Sequence, residues 1–419
     1  MATATAVRTK SAKMKKPRED FPLFPHPRGY WAKKIRGKAH YFGRYDEDPK
    51  GVRALAKYLA ERDDLEAGRI PRAKIETFTV RDLVNRFLTT KRSQVERGEL
   101  KPRTFSDYHK VCARLVNVFG PGRSVVDLGP DDFEKLRNEI SKGRAAYTVK
   151  GQVIQSRTVF VYAYENRLID RPVVFGQAFS IPTAKEIRRA RRVRGVRLFD
   201  AAEIRSLIEK ASVPVKAMVL LGINCGFGNT DLSELQQSSI DWTDGREVID
   251  FPRPKTGVER RCPLWPETVR AVEHAIIDRP KAKSKADEGC VFLTLRGRRL
   301  VLESLAEIED ATFKAKRKVL SAQSNAISRE FRKLRVDAKI DRPGLGFYSL
   351  RHTFRTVADE IPDRPAIDRI MGHEPVNDVS VFYRERIDDD RLRAVTDHVR
   401  AWLFPSAATK ATAKKGVRK

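Results

Sequence analysis

Apolar positions recur at helical spacing over much of this chain. After Thr79 they fall at Val80, Leu83, Val84, Phe87 and Leu88, which predicts an amphipathic helix. Tyr108, Val111, Cys112, Leu115, Val116 and Phe119 repeat the pattern, and Gly120-Pro121-Gly122 stops it. A third helix is expected from Asp131 or Asp132 through Phe133, Leu136 and Ile140. A fourth runs from Val153 to Ile169 and ends at Arg171-Pro172. Asp200 and Glu203 make a capping box at the start of a helical region reaching about Leu235. Two stretches depart from the helical period. Gly29 to Tyr45 interleaves aromatic and basic residues around Arg36-Gly37-Lys38, a turn between short strands, and 52–68 then reads as a helix. Glu247–Phe251 and Arg260–Pro263 read as a hairpin with Thr256-Gly257 at its turn. From Leu302 onward the pattern is again mostly helical, closing with a helix over 388–404 that carries Leu392, Val395, Val399, Trp402, Leu403 and Phe404.

These elements give a mainly α fold with small β-sheets (α+β), in several domains along 419 residues. The expected divisions are a basic tail at 1–20, a small sheet-and-helix unit at 21–70, a helical domain at 77–182, a basic linker at 183–198, a larger domain at 199–405 and a second basic tail at 406–419. The linker contains KEIRRARRVRGVR, with Arg188 and Arg191 among its cations.

Charge changes the picture. The chain holds 84 Lys and Arg against 55 Asp and Glu, a formal net charge of +29. An excess of that size points to a polyanionic partner. No apolar run approaches the roughly 18 residues of a membrane span, and the basic start lacks the apolar stretch of a secretory signal. The four cysteines, Cys112, Cys225, Cys262 and Cys290, are far apart and form no metal-ligand set, so a reducing interior is expected.

Five segments then stand out together: CGFGNTDLSEL at 225–235, RPKTGVERRCPL at 253–264, YSLRHTF at 348–354, IMGHEP at 370–375 and VFYRER at 381–386. Each is weak alone. A lysine at a hairpin turn is usually solvated, Gly-His usually ends a helix, and a tyrosine near a C-terminal helix is usually core or surface. Their order and spacing carry more. K-T-G in a hairpin, then Tyr348-x-x-Arg351, then Gly372-His373, then Tyr383 ten residues on resembles the tyrosine recombinase (phage integrase) family. The likeness spans about 197–405 and, more loosely, the helical domain before it. The first sheet resembles the arm-type DNA-binding domains of integrases.

The resemblance implies a site-specific recombinase that cuts and rejoins double-stranded DNA attachment sites through a 3′-phosphotyrosine. Tyr383 would be the nucleophile, Arg351 a clamp on the phosphate, Lys255 the general acid, and His373 a hydrogen-bond donor; Tyr348 stands at the first place of its box and would orient rather than take a proton. Neither ATP, metal nor other cofactor is implied, because the phosphotyrosyl bond stores the energy for rejoining. It further implies a homotetramer on DNA, accessory DNA-bending proteins, a cytoplasmic, nucleoid-associated location, and a role in moving a mobile element.

One departure is serious. Aligned on Leu232, Leu235 and Ile240-Asp241, Gly228 occupies the place of the family's first arginine, while Asp231 takes that of its acidic residue. Either another group compensates (Arg260, Arg261, Arg355 or Arg369 by charge, Asn229 by a hydrogen bond) or catalysis is impaired and the chain only binds DNA. A topoisomerase of similar chemistry and an RNA-binding protein are further rivals. Contacts to the duplex are expected from Trp31, Lys33, Lys34 and Arg36 of the first sheet, although that sheet could equally be a structural cap on its helix, from Lys91, Arg92 and Arg103 of the helical domain, and from Arg188 and Arg191. The closing helix is expected to pack on a neighbouring protomer, as in the family, or else on its own domain.

Overall fold

The computed structural model describes residues 14–68, 78–310, 315–373 and 386–405, with the backbone alone over 304–310 and 315–323. Tyr383 and both terminal tails, but for residues 14–20, lie outside the described residues. The chain divides into two compact units, 1–79 with 124–126, and 80–123 with 127–419.

In the first unit, β1 (Phe24–His26), β2 (Tyr30–Ile35) and β3 (Lys38–Arg44) form an antiparallel sheet in chain order. Arg36 and Gly37 turn β2 into β3 with φ of 49° and 81°, the positive pair that matches strand twist in a two-residue turn. α1 (Val52–Glu66) packs on the sheet through Ala54, Tyr58 and Leu65. Trp31 is fully buried in this core, and its Nε1–H donates to the Asp48 carbonyl at 2.8 Å. It is therefore a packing residue and not a contact to DNA, a correction forced by strand alternation, which turns Trp31 inward. Lys34 and Arg36 are exposed; Lys33 is half-buried over the Tyr58 ring.

The second unit begins with four helices, α2 (Val80–Glu96), α3 (Pro102–Phe119), α4 (Pro130–Ser141) and α5 (Ala146–Glu165). Phe87, Leu115, Phe133, Phe160 and their neighbours are buried among them. Lys91 lies over the rings of Phe87 and Tyr108, Arg92 pairs with Glu96 at 3.8 Å, and Arg103 with Asp107 at 3.5 Å. The basic run that reads as a linker is largely a helix, α6 (Ala184–Arg194). Its cause is a capping box: Glu186 N–H donates to Thr183 Oγ1, and Thr183 N–H donates to the Glu186 carboxylate. No residue of α6 is buried, and Arg188 and Arg191 are exposed.

α7 (Ala201–Lys210) starts at the Asp200–Glu203 capping box, and α8 (Val213–Asn224) and short α9 (Asn229–Glu234) follow. The expected single helical region is thus broken twice, at Pro214 in the first turn of α8 and at Gly226, whose φ of 63° ends it. β4 (Ile240–Asp241), β5 (Val248–Asp250) and β6 (Arg261–Pro263) make a small antiparallel sheet, followed by α10 (Pro266–Ile277). β7 (Val301–Asp310) and β8 (Ala315–Asn325) then pair as a long hairpin, in place of the helical continuation that the pattern predicts. Val301, Leu302, Leu305 and Ile308 fit a helical spacing, but β-branched residues and cross-strand pairing decide.

α11 (Ala326–Asp337), α12 (Tyr348–Ala358), α13 (Arg364–Met371) and α14 (Asp389–Leu403) complete the unit. α14 packs on its own domain: Leu392, Val395, Val399 and Leu403 are all fully buried in the common core, and Trp265 Nε1–H donates to the Thr396 carbonyl at 2.9 Å. Of the two expected placements, packing on its own domain is therefore the one seen for these four residues, while Trp402 and Phe404 stay partly exposed.

Candidate active site

The site is built where α12, α13 and the β5–β6 hairpin meet. α12 places Tyr348, Arg351 and Arg355 at intervals of three and four, so they share a face. Arg351 is 2% exposed. Its Nη1 donates to the Gly226 carbonyl, and its Nη2 donates to the Met371 carbonyl at 2.8 Å and to His373 Nε2 at 2.9 Å. A guanidinium so held presents a fixed fork. Burial, and after it the charge of Arg253, bring its pKa down to about 10.

α13 ends at Gly372, whose φ of 61° is the left-handed conformation of a helix stop. The reversal turns His373 back toward Arg351. His373 Nδ1 lies 3.4 Å from Asp368 Oδ1, which orients the ring as an acid partner does. Asp368 also accepts from Arg355 Nη1 at 2.6 Å. Burial works against its charge, but the bonds from His373 and Arg355 prevail and hold its pKa below the ordinary carboxylate value.

Lys255 is exposed in the loop between β5 and β6. That loop is closed by the Arg253 backbone: Arg253 N–H donates to the Val258 carbonyl at 2.8 Å, and Gly257 N–H donates to the Arg253 carbonyl at 2.8 Å. The loop meets the His373 turn through Arg253, whose Nη1 donates to the Gly372 carbonyl at 3.3 Å. Tyr348, half-exposed, stands edge-on to His352 at 5.3 Å between ring centres. A Cβ added at Gly228 would lie 3.3 Å from both Asp231 Oδ2 and the Tyr348 ring.

The candidates for the missing cation separate cleanly. Arg261 is bound to Asp389 at 2.7 Å and 2.8 Å, Arg355 to Asp359 and Asp368, and Arg369 to Glu259 at 2.7 Å. Asn229 donates to Ser328 Oγ at 2.8 Å. Arg260 is fully buried, 4.0 Å from the Phe227 ring centre and 5.2 Å from that of Phe251, with Nη1 3.3 Å from Asp231 Oδ1. Asp231 in turn accepts the Gly228 N–H at 2.6 Å. Arg260 is thus the counter-ion of Asp231, and desolvation pulls its pKa down.

Beside the site, Tyr147, Arg188, Arg191, Arg192, Arg194, Arg197 and His352 line a cavity of about 970 Å³. Burial first, then Arg191, Arg197 and Arg351, keep the His352 pKa below its usual value. Sequence reasoning missed Arg253 and Asp368. The first had a signal, standing two residues before Lys255 on the same loop; the second had none, since an aspartate inside a helix is ordinary.

A buried arginine, a histidine braced by a carboxylate and a lysine-bearing loop, gathered at one turn beside an arginine-lined cavity, define a cationic site with the chemistry to hold a phosphate. Residues 195–389 match the family model of the phage integrase family. The chain is similar to the tyrosine recombinase XerC of Alcanivorax borkumensis, 24% identical over 324 residues, covering 76% of this chain and 94% of the relative. In fold it is similar to a lambda integrase tetramer bound to a Holliday junction (TM-score 0.51, 17% identity, 89% of this chain and 99% of the other). It is likewise similar to a Tn1549 transposon integrase in complex with circular intermediate DNA (TM-score 0.52, 17% identity, 77% and 99%).

Proposed function

We propose that this protein is a site-specific DNA recombinase acting through a 3′-phosphotyrosine at Tyr383, and that it integrates or excises a mobile element. The observation that carries the reading is the meeting of Arg351, His373 and the Lys255 loop at the Gly372 turn, within a phage integrase domain. In the forward step the Tyr383 oxygen attacks phosphorus and the P–O5′ bond breaks. Lys255 gives its proton to the departing 5′ oxygen, so no alkoxide has to leave. Arg351 and His373 hold the non-bridging oxygens, where charge builds up in the transition state. Rejoining runs the same steps backwards with a new 5′ hydroxyl. The duplex lies along the arginines of α6 and the cavity they line, and the active assembly is a homotetramer on DNA.

The test is strand exchange between two duplexes carrying the cognate site. Recombinant products, with supercoil relaxation weak or absent, support the reading; relaxation of supercoils by a monomer without exchange supports the topoisomerase alternative. A second reading is favoured by Gly228 in the place of an arginine: a DNA-binding protein with an impaired site. It expects salt-dependent duplex binding and no exchange.

A further inference from the structure

We propose that Arg253 is the second phosphate-clamping guanidinium of this site, supplied from the β5–β6 loop in place of the side chain that Gly228 lacks. The inference rests on the recombinase reading and deepens it. Its ground is a pair of adjacent carbonyls. Arg351 Nη2 donates to the carbonyl of Met371 and Arg253 Nη1 to that of Gly372. Two guanidinia from different elements therefore bracket one turn, and His373 is its next residue.

Arg253 is held there from both ends. Its backbone N–H and carbonyl close the loop that carries Lys255, and its side-chain stem lies against Gly372, where an added Cβ would come within 2.9 Å of Arg253 Cβ. The head group is less committed. Its donation to the Gly372 carbonyl is long, at 3.3 Å, and goes to a neutral acceptor, and among the described residues no carboxylate lies within ion-pair distance of it. The four arginines weighed above are occupied: Arg261, Arg355 and Arg369 by carboxylates, and Arg260, fully buried, by Asp231. Arg253 is also the charge that weighs most on Arg351. Two like charges that act on each other favour an anion that both can reach.

In the reaction Arg253 breaks and forms no bond. It takes one non-bridging oxygen while Arg351 takes the other, and the added negative charge of the phosphorane falls between them. A purely structural arginine would hold the loop equally well whether the phosphate were charged or not.

That difference gives the test. A pool of nicked duplexes with randomised flanks is incubated with the wild-type chain, and SDS-resistant adducts are recovered and sequenced to obtain a working substrate. Adduct formation is then timed for wild type, Arg253→Ala, Arg253→Lys and Arg260→Met, on that duplex and on one with a neutral methylphosphonate at the scissile position. On the ordinary phosphate Arg253→Ala should be slower by about 10²- to 10³-fold, the usual cost of losing one transition-state donor, with Arg253→Lys in between. On the methylphosphonate the Arg253→Ala loss should shrink to about tenfold or less, because the charge to be clamped is gone. An Arg253→Ala rate within a few-fold of wild type overturns the inference, and so does an equal loss on both substrates. A loss on Arg260→Met that shrinks with the neutral phosphate, while Arg253→Ala shows none, assigns the role to Arg260 instead. If wild type makes no adduct with any duplex, the recombinase reading fails and the inference falls with it.

Discussion

Asp231 and Arg260 are the two charges with most to lose at the residue scale. Each is buried, and each is the other's counter-ion. Arg260→Ala should cost about 3–5 kcal/mol in urea unfolding, because it leaves a buried carboxylate uncompensated. The double variant Asp231→Leu/Arg260→Met should recover most of that loss, since two apolar groups need no partner. Asp368 has a pH signature. Its folded pKa lies below the unfolded one, so its contribution is complete above roughly pH 4 and disappears as pH falls through the depressed folded value. Asp368→Asn should therefore lose about 1–3 kcal/mol at pH 7 and flatten the acid limb of the stability curve. The site is legible in sequence where the order and spacing of the boxes carry it: Arg351 of 348–354 and His373 of 370–375 do meet. It is not legible where a contact joins distant elements. Nothing in the string PRPKTG says that Arg253 rests on a carbonyl 119 positions away.

Turns and caps govern the elements. Gly372 must take a positive φ and must also leave room for Arg253. Gly372→Ala should cost more than the about 1–2 kcal/mol of left-handed strain alone, with the excess falling when Arg253→Ala is combined with it. α6 exposes its arginines on an unburied helix, so Arg188→Glu/Arg191→Glu should leave the thermal midpoint nearly unchanged. It should weaken duplex binding irrespective of sequence and flatten the log–log salt slope by about 0.9 for each phosphate that is no longer neutralised. The helices of 80–141 and the Asp200 cap follow from local pattern and lie where the sequence puts them, whereas the helix expected over Val153–Ile169 is Ala146–Glu165. α6 is hard to read because a run of arginines signals solvent while its capping box, at Thr183 and Glu186, signals a helix. The β7–β8 hairpin is hidden because its pairing is set across strands and not along the chain.

At the scale of the whole molecule, a net charge of +29 sets long-range attraction to a polyanion. The match of 195–389 to the phage integrase family model and the arginine-lined cavity are consistent with that partner. What charge cannot supply is chemistry, which the proposed function assigns to one phenolic oxygen outside the described residues and to the cations gathered at the Gly372 turn. The most direct measurement is mass mapping of the covalent complex between the full chain and a nicked cognate duplex. The account predicts a protease-resistant nucleotide attached through its 3′ phosphate to the peptide containing Tyr383, and its disappearance in Tyr383→Phe. Attachment to any other residue, or equal yield from Tyr383→Phe, contradicts it.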